Sequence, residues 1–411
     1  MPKKTKIIFI VVFILVGIIM LGVYSYFKNT TSPTANPNAS LVQKFNPFGT
    51  STKIATTNNE PNNTNTTNTN QTATQNSRFY QITNFAVVGA TYLDDNRKTS
   101  EGDSTVAPTF EVAPAVRYVE RATGHIYEMY LDTKSSGEIS NSTIPGVHEV
   151  LFDNTANSTI YRYISDDNKS ITSFMATLGG SSGFLPTDVL DVSLSPDKTK
   201  FFSLIKSKTG VIGNIKSFSN TKTNQVFTSN FSEWTPQWVT DQNIYLTTKP
   251  SYLVNGSIFS LSVVNGTLTK IFGDIPGLTT LASGDGNSIL FGSSLDVGPK
   301  LNIFNIKNHT STDLKLYGIP EKCIWSKDNI NVYCALPNTI TGTDYPDTWY
   351  QGEVSFTDYF VKINTVTGDT STLANSANET PIDATNLFMN KNEDKLFFTN
   401  KKDSTLWSLD L

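Results

Sequence analysis

Few residues of this chain have the types and spacing that catalysis requires. The segment Gly179–Gly183 (GGSSG) matches the GxSxG pattern of serine hydrolases. In those enzymes the serine stands on a sharp turn between a strand and a helix. Here strand-like sequence lies on both sides of the motif, which favours a Gly/Ser loop between strands over a nucleophile.

Paired carboxylates are a second candidate, because two of them at the right separation can hydrolyse a glycosidic bond. Three such pairs occur: Asp94 with Asp95, Asp166 with Asp167, and Glu101 with Asp103. All lie in turn-like sequence, where an Asp accepts backbone N–H groups or stays solvated. These pairs therefore do not predict a catalytic site.

The sequence shows no pattern for a metal, a cofactor or a nucleic acid. His125, His148 and His309 are far apart, and two cysteines are too few for a structural zinc site. The DxDxDG calcium pattern is absent. The formal net charge is −4, whereas nucleic-acid binding needs a basic face. We expect no catalytic residues, no cofactor and no metal ion.

From about residue 78 a unit of two apolar strands around a polar turn recurs seven times. The equivalent positions Phe152, Leu194, Trp238, Ala282 and Trp325 are separated by 42, 44, 44 and 43 residues. Such a period, with about four strands in each, is typical of propeller blades. The sequence predicts an all-β propeller of about seven four-stranded blades over 78–411, with six or eight blades as alternatives.

The two ends of this region complement each other. The last unit stops after a third strand at 404–411, and the segment 78–83 can supply its missing outer strand. Pairing both ends in one blade would close the ring without leaving a partial sheet. Two longer gaps place insertions at 93–110, a solvated loop between first and second strands, and at 337–358, between second and third strands.

The 337–358 insertion carries the candidate partner-binding residues. They are aromatic groups among acidic and small polar ones: Tyr345, Trp349, Tyr350 and Phe356. Aromatic side chains bury much area for little entropy, which suits protein or sugar recognition. The alternative is a loop that folds these rings back onto its own blade.

Cys323 and Cys334 lie five residues on either side of a predicted turn at Asp328-Asn329. Directly opposed strand positions bring Cα atoms within disulfide range. We predict that the two form a disulfide. Two buried thiols that pack as small hydrophobic groups are the alternative.

The repeat units resemble TolB-like propellers and the propeller of the dipeptidyl-peptidase family. In those families a blade reads Pro-x-Trp-Ser-Pro-Asp-Gly before an apolar strand, and the segments 194–198 (LSPDK) and 236–241 (PQWVTD) match in part. WD-type repeats are a looser match. The resemblance covers about 78–411 and implies the fold, while its motifs are structural and imply little of function.

The apolar, uncharged segment 7–27 is long enough to span a bilayer. Lys3, Lys4 and Lys6 precede it, so the positive-inside rule predicts a signal anchor over 1–28 with a cytoplasmic N-terminus. A cleaved signal peptide is the alternative. Residues 29–77 are Asn/Thr-rich and predict a disordered linker. Its one apolar island, 41–49, is either a docking motif or a chance cluster.

These features together predict a single-pass membrane protein with an extracytoplasmic propeller. We expect a non-catalytic scaffold that binds a protein or glycan of the cell envelope and no nucleic acid; the oligomeric state is open. The alternative is a propeller-type hydrolase or lyase that acts on glycans. A carboxylate cluster, or a histidine beside a carboxylate, in the central channel would favour the enzyme.

Overall fold

The computed structural model describes residues 78–101, 107–165, 170–220, 222–295 and 298–411. The predicted anchor over 1–28 and the linker over 29–77 lie outside these ranges. Within the described ranges, no helix is both long and apolar enough to cross a bilayer.

Seven antiparallel four-stranded sheets form a β-propeller, which confirms the predicted fold class and the count of seven blades. In each blade the first strand along the chain is innermost, and the last blade borrows its fourth strand from the start of the described chain. The strands of the first four blades are β2 (Val87–Ser100), β3 (Thr109–Glu120), β4 (Ile126–Tyr130), β5 (Ser136–Ser140); β6 (Val147–Phe152), β7 (Ser158–Ile164), β8 (Ile171–Thr177), β9 (Ser182–Phe184); β10 (Val189–Leu194), β11 (Lys200–Ser207), β12 (Gly210–Ser217), β13 (Thr223–Ser229); and β14 (Trp234–Thr240), β15 (Asn243–Thr248), β16 (Asn255–Ser262), β17 (Leu268–Pro276).

The remaining three blades follow the same plan. Their strands are β18 (Thr279–Ala282), β19 (Ser288–Leu295), β20 (Gly298–Asn305), β21 (Thr310–Tyr317); β22 (Cys323–Trp325), β23 (Asn331–Pro337), β24 (Asp358–Asn364), β25 (Thr370–Asn375); and β26 (Ala384–Met389), β27 (Lys395–Asn400), β28 (Leu406–Asp410), with β1 (Phe79–Gln81) outermost. One short helix, α1 (Asp347–Tyr350), and two 3-10 turns, Pro320–Lys322 and Ser376–Asn378, complete the described elements.

The ring closes as the sequence predicts. Strand β1 pairs with β28 in an antiparallel register that places Phe79 opposite Leu409. The seventh blade therefore contains both ends of the propeller, and no blade is left one strand short.

The hydrophobic core is divided into layers between neighbouring blades. Seven clusters of buried side chains each draw on two adjacent blades. The second strand of a blade is covered on both faces, so it reads as an almost continuous apolar run, as in β11 and β23. This is why the repeat is visible in the sequence despite weak motifs.

The turn between the first and second strands explains the partial Ser-Pro-Asp motif. In the third blade the Ser195 hydroxyl donates to the Asp197 carboxylate 2.6 Å away, and Lys198 follows with a φ of 53°. The same Ser-x-Asp arrangement recurs in the fifth and sixth blades, where Gly286 and Asn329 take the left-handed position. Glycine and asparagine tolerate that conformation best.

The segment 93–110 is exposed over most of its described residues, as the sequence predicts, but it is not a loop. Strands β2 and β3 continue their pairing from Leu93↔Ala115 to Ser100↔Thr109, so most of the insertion is an extended hairpin. Arg97 fixes it by ion pairs to Glu111 and to Asp132 of the next hairpin. The cross-strand partners of 93–100 run from Thr109 to Ala115. Most of them lie outside the insertion, so its own sequence does not indicate the pairing.

Candidate functional site

The face that carries the 337–358 insertion follows from the topology. Neighbouring strands run antiparallel, so the loops between second and third strands open on the same face as the connections that enter the innermost strands. This face is termed the insert face. As predicted, the insertion lies between the second and third strands of its blade, β23 and β24; it contains the short helix α1.

Three of the four predicted partner-binding residues are buried. Tyr345, Trp349 and Phe356 are 2%, 4% and 1% exposed and pack with Ile319 in a cluster of their own. The ring of Phe356 stacks 5.8 Å from that of Tyr345. The insertion thus folds these rings back onto the propeller, because burial of large aromatic surfaces is favourable. Only Tyr350, at 42% exposure, offers surface to a partner.

The insertion is tied to three other blades. The backbone N–H of Tyr252, in the fourth blade, donates to the Asp347 carboxylate at the start of α1. The Ser294 hydroxyl of the fifth blade donates to the Tyr345 carbonyl of the insertion. Lys401 of the seventh blade donates to the Trp349 carbonyl, 2.7 Å away. The insertion therefore bridges the fourth to seventh blades on this face.

Exposed apolar side chains occur on loops of the insert face, and the loop that carries Leu253 contacts the insertion through Tyr252. Leu253 is 70% exposed, Val254 57% and Phe231 46%. Leu253 also has a φ of 59°, a left-handed conformation that is unfavourable for a branched apolar residue. Strained backbone and exposed apolar surface are both typical of binding sites.

Beneath the insertion lies a buried charge cluster, termed the lysine triad: Lys322, Asp358 and Asp383. All three side chains are 0% exposed. The Nζ atom of Lys322 is 2.8 Å from Asp358 Oδ2 and 2.5 Å from Asp383 Oδ1. It also donates to the Ala384 carbonyl at 2.8 Å. Lys322 lies directly before β22, Asp358 is the first residue of β24, and Asp383 lies directly before β26. The propeller brings these three segments side by side.

The two carboxylates of the triad have different surroundings. Burial raises the pKa of Asp358, and its Oδ1 has no hydrogen-bond partner among the described residues. Burial alone would raise the pKa of Asp383 as well, but the Lys322 charge and several donors hold it below its usual range. Those donors from the insertion are Trp349 Nε1, Ser355 Oγ and the Phe356 backbone N–H.

A second charged group lies at the start of the innermost strands of the second and third blades. Glu149 and Asp191 occupy equivalent positions, each beside a register shift in its strand. Arg162 Nη1 is 2.5 Å from Glu149 Oε2 and 4.0 Å from Asp191 Oδ1. Burial, and next the Glu149 charge, raise the pKa of Asp191 to about 6, against the opposing effect of Arg162.

His148 lies next to this group. With Glu149 it lines a cavity of about 460 Å³ between the innermost strands of the first, second and seventh blades. Its Nε2 is buried and has no partner in the described part of the chain. Burial, and next the Arg162 charge, lower the pKa of His148, which keeps the ring neutral near pH 7.

The remaining predicted candidates are dispersed. Gly179–Gly183 spans the turn from β8 into β9, so no helix follows Ser181. Asp94 and Asp95 lie within β2, Glu101 is exposed, and the other predicted carboxylates fall outside the described ranges. Across those ranges, no group of three His, Cys, Asp or Glu residues could hold a metal ion.

Cys323 and Cys334 are directly opposed in the β22–β23 register and are joined by a disulfide. Their Cα atoms are 4.1 Å apart. The oxidised state of the protein in solution stays a prediction.

Sequence reasoning missed the lysine triad and the exposed loop at Leu253. Lys322 and Asp383 each lie directly before a first strand, but so do the exposed residues Asp188 and Glu233, so a charge at this position does not reveal the triad. For Leu253 no periodic pattern exists, because its exposure depends on how the fourth-blade loop packs against the insertion.

No protein family and no curated protein matches the chain by sequence. Solved structures do match. An oligogalacturonate lyase in complex with manganese aligns with a TM-score of 0.50 and 10% identity, over 80% of this chain and 98% of that one. The β-propeller domain of the Trilobed protease from Pyrococcus furiosus aligns with a TM-score of 0.47 and 14% identity, over 80% and 94%.

TolB from Acinetobacter baumannii aligns with a TM-score of 0.41 and 12% identity, over 68% of this chain and 78% of that one. Identities this low show a shared fold and nothing of activity. The likeness of fold is carried by the alignment to the oligogalacturonate lyase, with its TM-score of 0.50.

Proposed function

We propose that this chain is a non-catalytic, membrane-anchored propeller that holds a protein partner outside the cell through its insert face. The observation that carries this proposal is the exposed apolar surface beside the insertion, with Leu253 and Val254 at its most exposed point. Aliphatic side chains gain more from contact with protein than with glycan, because glycans present mainly hydroxyl groups.

The backbone of this loop supports the proposal. A left-handed Leu253 costs folding free energy and returns little buried area, because the side chain is 70% exposed. Its neighbour Tyr252 is fixed by the insertion through Asp347. The loop is therefore held in a conformation that projects apolar groups outward, and such pre-organisation lowers the entropic cost of binding.

The location rests on the sequence of the first 28 residues. An uncharged apolar segment after three lysines would place the propeller outside the cytoplasm, where a disulfide can persist. Protease shaving of intact cells tests this. We expect loss of the propeller from intact cells, whereas protection of the propeller would contradict the proposed side.

The binding role is tested by replacing exposed apolar residues with serine, on one face of the propeller at a time. Leu253→Ser with Val254→Ser removes the insert-face patch. Val264→Ser with Val366→Ser is the matched control, since these valines are 75% and 79% exposed on loops of the opposite face. Capture of envelope proteins by the full chain should fall at least about tenfold only in the first variant, because burying one aliphatic side chain contributes about 1.5–3 kcal/mol. Equal capture by both variants would refute the assignment.

An enzymatic role is the second candidate, because a histidine and two carboxylates lie near the channel. His148, Glu149 and Asp191 could support glycan hydrolysis or elimination. Arg162 donates to Glu149 and neutralises part of this negative charge. This pairing favours a structural role for the carboxylates. Turnover of acidic and neutral oligosaccharides by the wild type, abolished in Glu149→Gln, would establish the enzyme instead.

A further inference from the structure

We propose that the lysine triad is the site of a self-formed covalent cross-link, an amide bond between Lys322 Nζ and the side-chain carboxyl of Asp358. The inference concerns the interior beneath the insertion and does not depend on the proposed binding role.

The reacting atoms are in place. Lys322 Nζ is 2.8 Å from Asp358 Oδ2. The carboxyl carbon is one bond beyond that oxygen, so it lies within about 4 Å of the nitrogen. Both side chains are 0% exposed, so their effective concentration is far above any in solution, and water cannot reverse the reaction readily.

Asp358 is arranged as the electrophile. Its Oδ2 accepts hydrogen bonds from Lys322 and, at 2.7 Å, from the Ala384 backbone N–H. The second donor is placed to stabilise the negative charge that develops on this oxygen during attack. Its Oδ1, without a partner among the described residues, is the oxygen that leaves. A neutral carboxyl group suits such a dry position, and burial raises the pKa of Asp358 in agreement.

Asp383 is arranged as the proton carrier. Its Oδ1 is 2.5 Å from Lys322 Nζ, and donors from Trp349, Ser355 and Phe356 hold its carboxylate in place. The rings of Trp349 and Phe356 lie 5.3 Å and 5.5 Å from Nζ and exclude water.

The step balances without an added reactant. Asp383 takes a proton from the Lys322 ammonium, and the free amine attacks the neutral Asp358 carboxyl carbon. The nitrogen–carbon bond forms while the bond from carbon to Oδ1 breaks. The departing hydroxyl takes a second proton from the attacking nitrogen and leaves as water, while Asp383 keeps the first proton. The product is a neutral amide beside a neutral Asp383.

The cross-link would join the segment before β22 to the first residue of β24, within the same blade that carries the Cys323–Cys334 disulfide. The sixth blade, which supports the insertion, would then be closed by two covalent links. Neither link could be undone by unfolding alone.

Intact-mass spectrometry of the full chain, with the disulfide reduced, tests the proposal. We expect a mass lower than that of the sequence by one water molecule, and a peptide pair joined through Lys322 and Asp358 after proteolysis. A wild-type mass equal to that of the unmodified chain, after prolonged incubation of the folded protein, overturns the proposal. That result needs no variant, so it stands even if variants of the triad fold poorly.

Two isosteric variants test the roles. Asp358→Asn should still cross-link but lose one ammonia molecule instead of water, because the leaving group has changed. Asp383→Asn should keep the full mass, because no group remains to carry the proton. Loss of ammonia from Asp383→Asn would overturn the assignment of Asp358 as the electrophile.

Discussion

The sixth and second blades share one architecture and differ in how they treat charge. In the sixth blade, Lys322 and its two carboxylates are completely buried and sealed by the aromatic insertion. In the second, Arg162 is buried, but its partner Glu149 keeps 36% of its side chain exposed. The same propeller therefore contains a closed charge cluster and an open one.

The difference shows what an insertion can do for a repeat fold. Without the aromatic rings of the insertion, Lys322 and Asp383 would face solvent on the insert face, as the partly exposed carboxylates beside Arg162 do. The outer strand β9 of the second blade has only three residues, whereas the equivalent β25 of the sixth has six. The sixth blade is thus a fixed support for the insertion, and the second leaves polar groups accessible.

The largest effect is expected from breaking the closed charge cluster, the lysine triad of the sixth blade. Lys322→Met removes the partner of two buried carboxyl groups together with any bond that Lys322 forms to Asp358, and should cost at least about 3–5 kcal/mol of unfolding free energy. Arg162→Met is the matched change in the open cluster and should cost less, because Glu149 can turn to water. Denaturant unfolding at neutral pH measures both. Equal losses would mean that the two clusters do not differ as the burial suggests.

The next effect separates the covalent support of the sixth blade from its charges. Cys323→Ser with Cys334→Ser opens a loop with a sequence separation of 11. In the chain-entropy model this costs about 2–3 kcal/mol. The reductant dithiothreitol should lower the unfolding temperature of the wild type and leave that of the double variant unchanged. A wild type that is insensitive to reductant would argue for two free thiols.

A smaller effect concerns pH and the open cluster. The pKa of Asp191 in the folded protein is raised to about 6, so the folded state holds this proton more tightly than the unfolded chain does. The resulting stability is present below the ordinary carboxyl pKa and is lost as the pH rises through about 6. Because the side chain is 33% exposed, solvent screening limits the loss to about 1 kcal/mol.

Asp191→Asn should remove this part of the pH dependence. Between about pH 4 and about pH 6 the wild type should lose about 1 kcal/mol more than the variant. Thermal unfolding across this range measures the difference. If the stability of the two proteins changes in parallel with pH, Asp191 is solvated in the folded state and its pKa is not raised.

The smallest effect concerns the exposed loop that contacts the insertion. Leu253→Gly removes the side chain from a residue with a φ of 59° and should raise stability by about 1 kcal/mol, since glycine accepts this conformation without strain. The same change should weaken partner capture. Val264→Gly, on the opposite face, should do neither; a gain in stability there of the same size would remove the argument from strain.

The ring was predictable from the sequence because blade structure depends on a repeated local pattern. The equivalent positions from Phe152 to Trp325 all end or nearly end an innermost strand, and Cys323 lies opposite Cys334 because both belong to one hairpin. The lysine triad was not predictable, since its members are 36 and 61 residues apart and meet only after three blade segments converge.

The burial of Trp349 and Phe356 was an open alternative in the sequence for a related reason. Aromatic residues among acidic ones are compatible with either a contact surface or a packed insertion. The choice depends on whether a partner for Trp349 Nε1 lies beneath, and that partner is Asp383 of the next blade. The residues of the insertion alone do not indicate that Trp349 contacts Asp383.

Photo-cross-linking from single positions in intact cells tests the central claim most directly. A photoreactive amino acid is placed at Leu253 on the insert face, and in a separate protein at Val264 on the opposite face, two sites with 70% and 75% exposure. We predict a discrete covalent adduct with an envelope protein from position 253 and none from position 264. Adducts from both positions, or from position 264 alone, would contradict the assignment of the insert face as the docking surface.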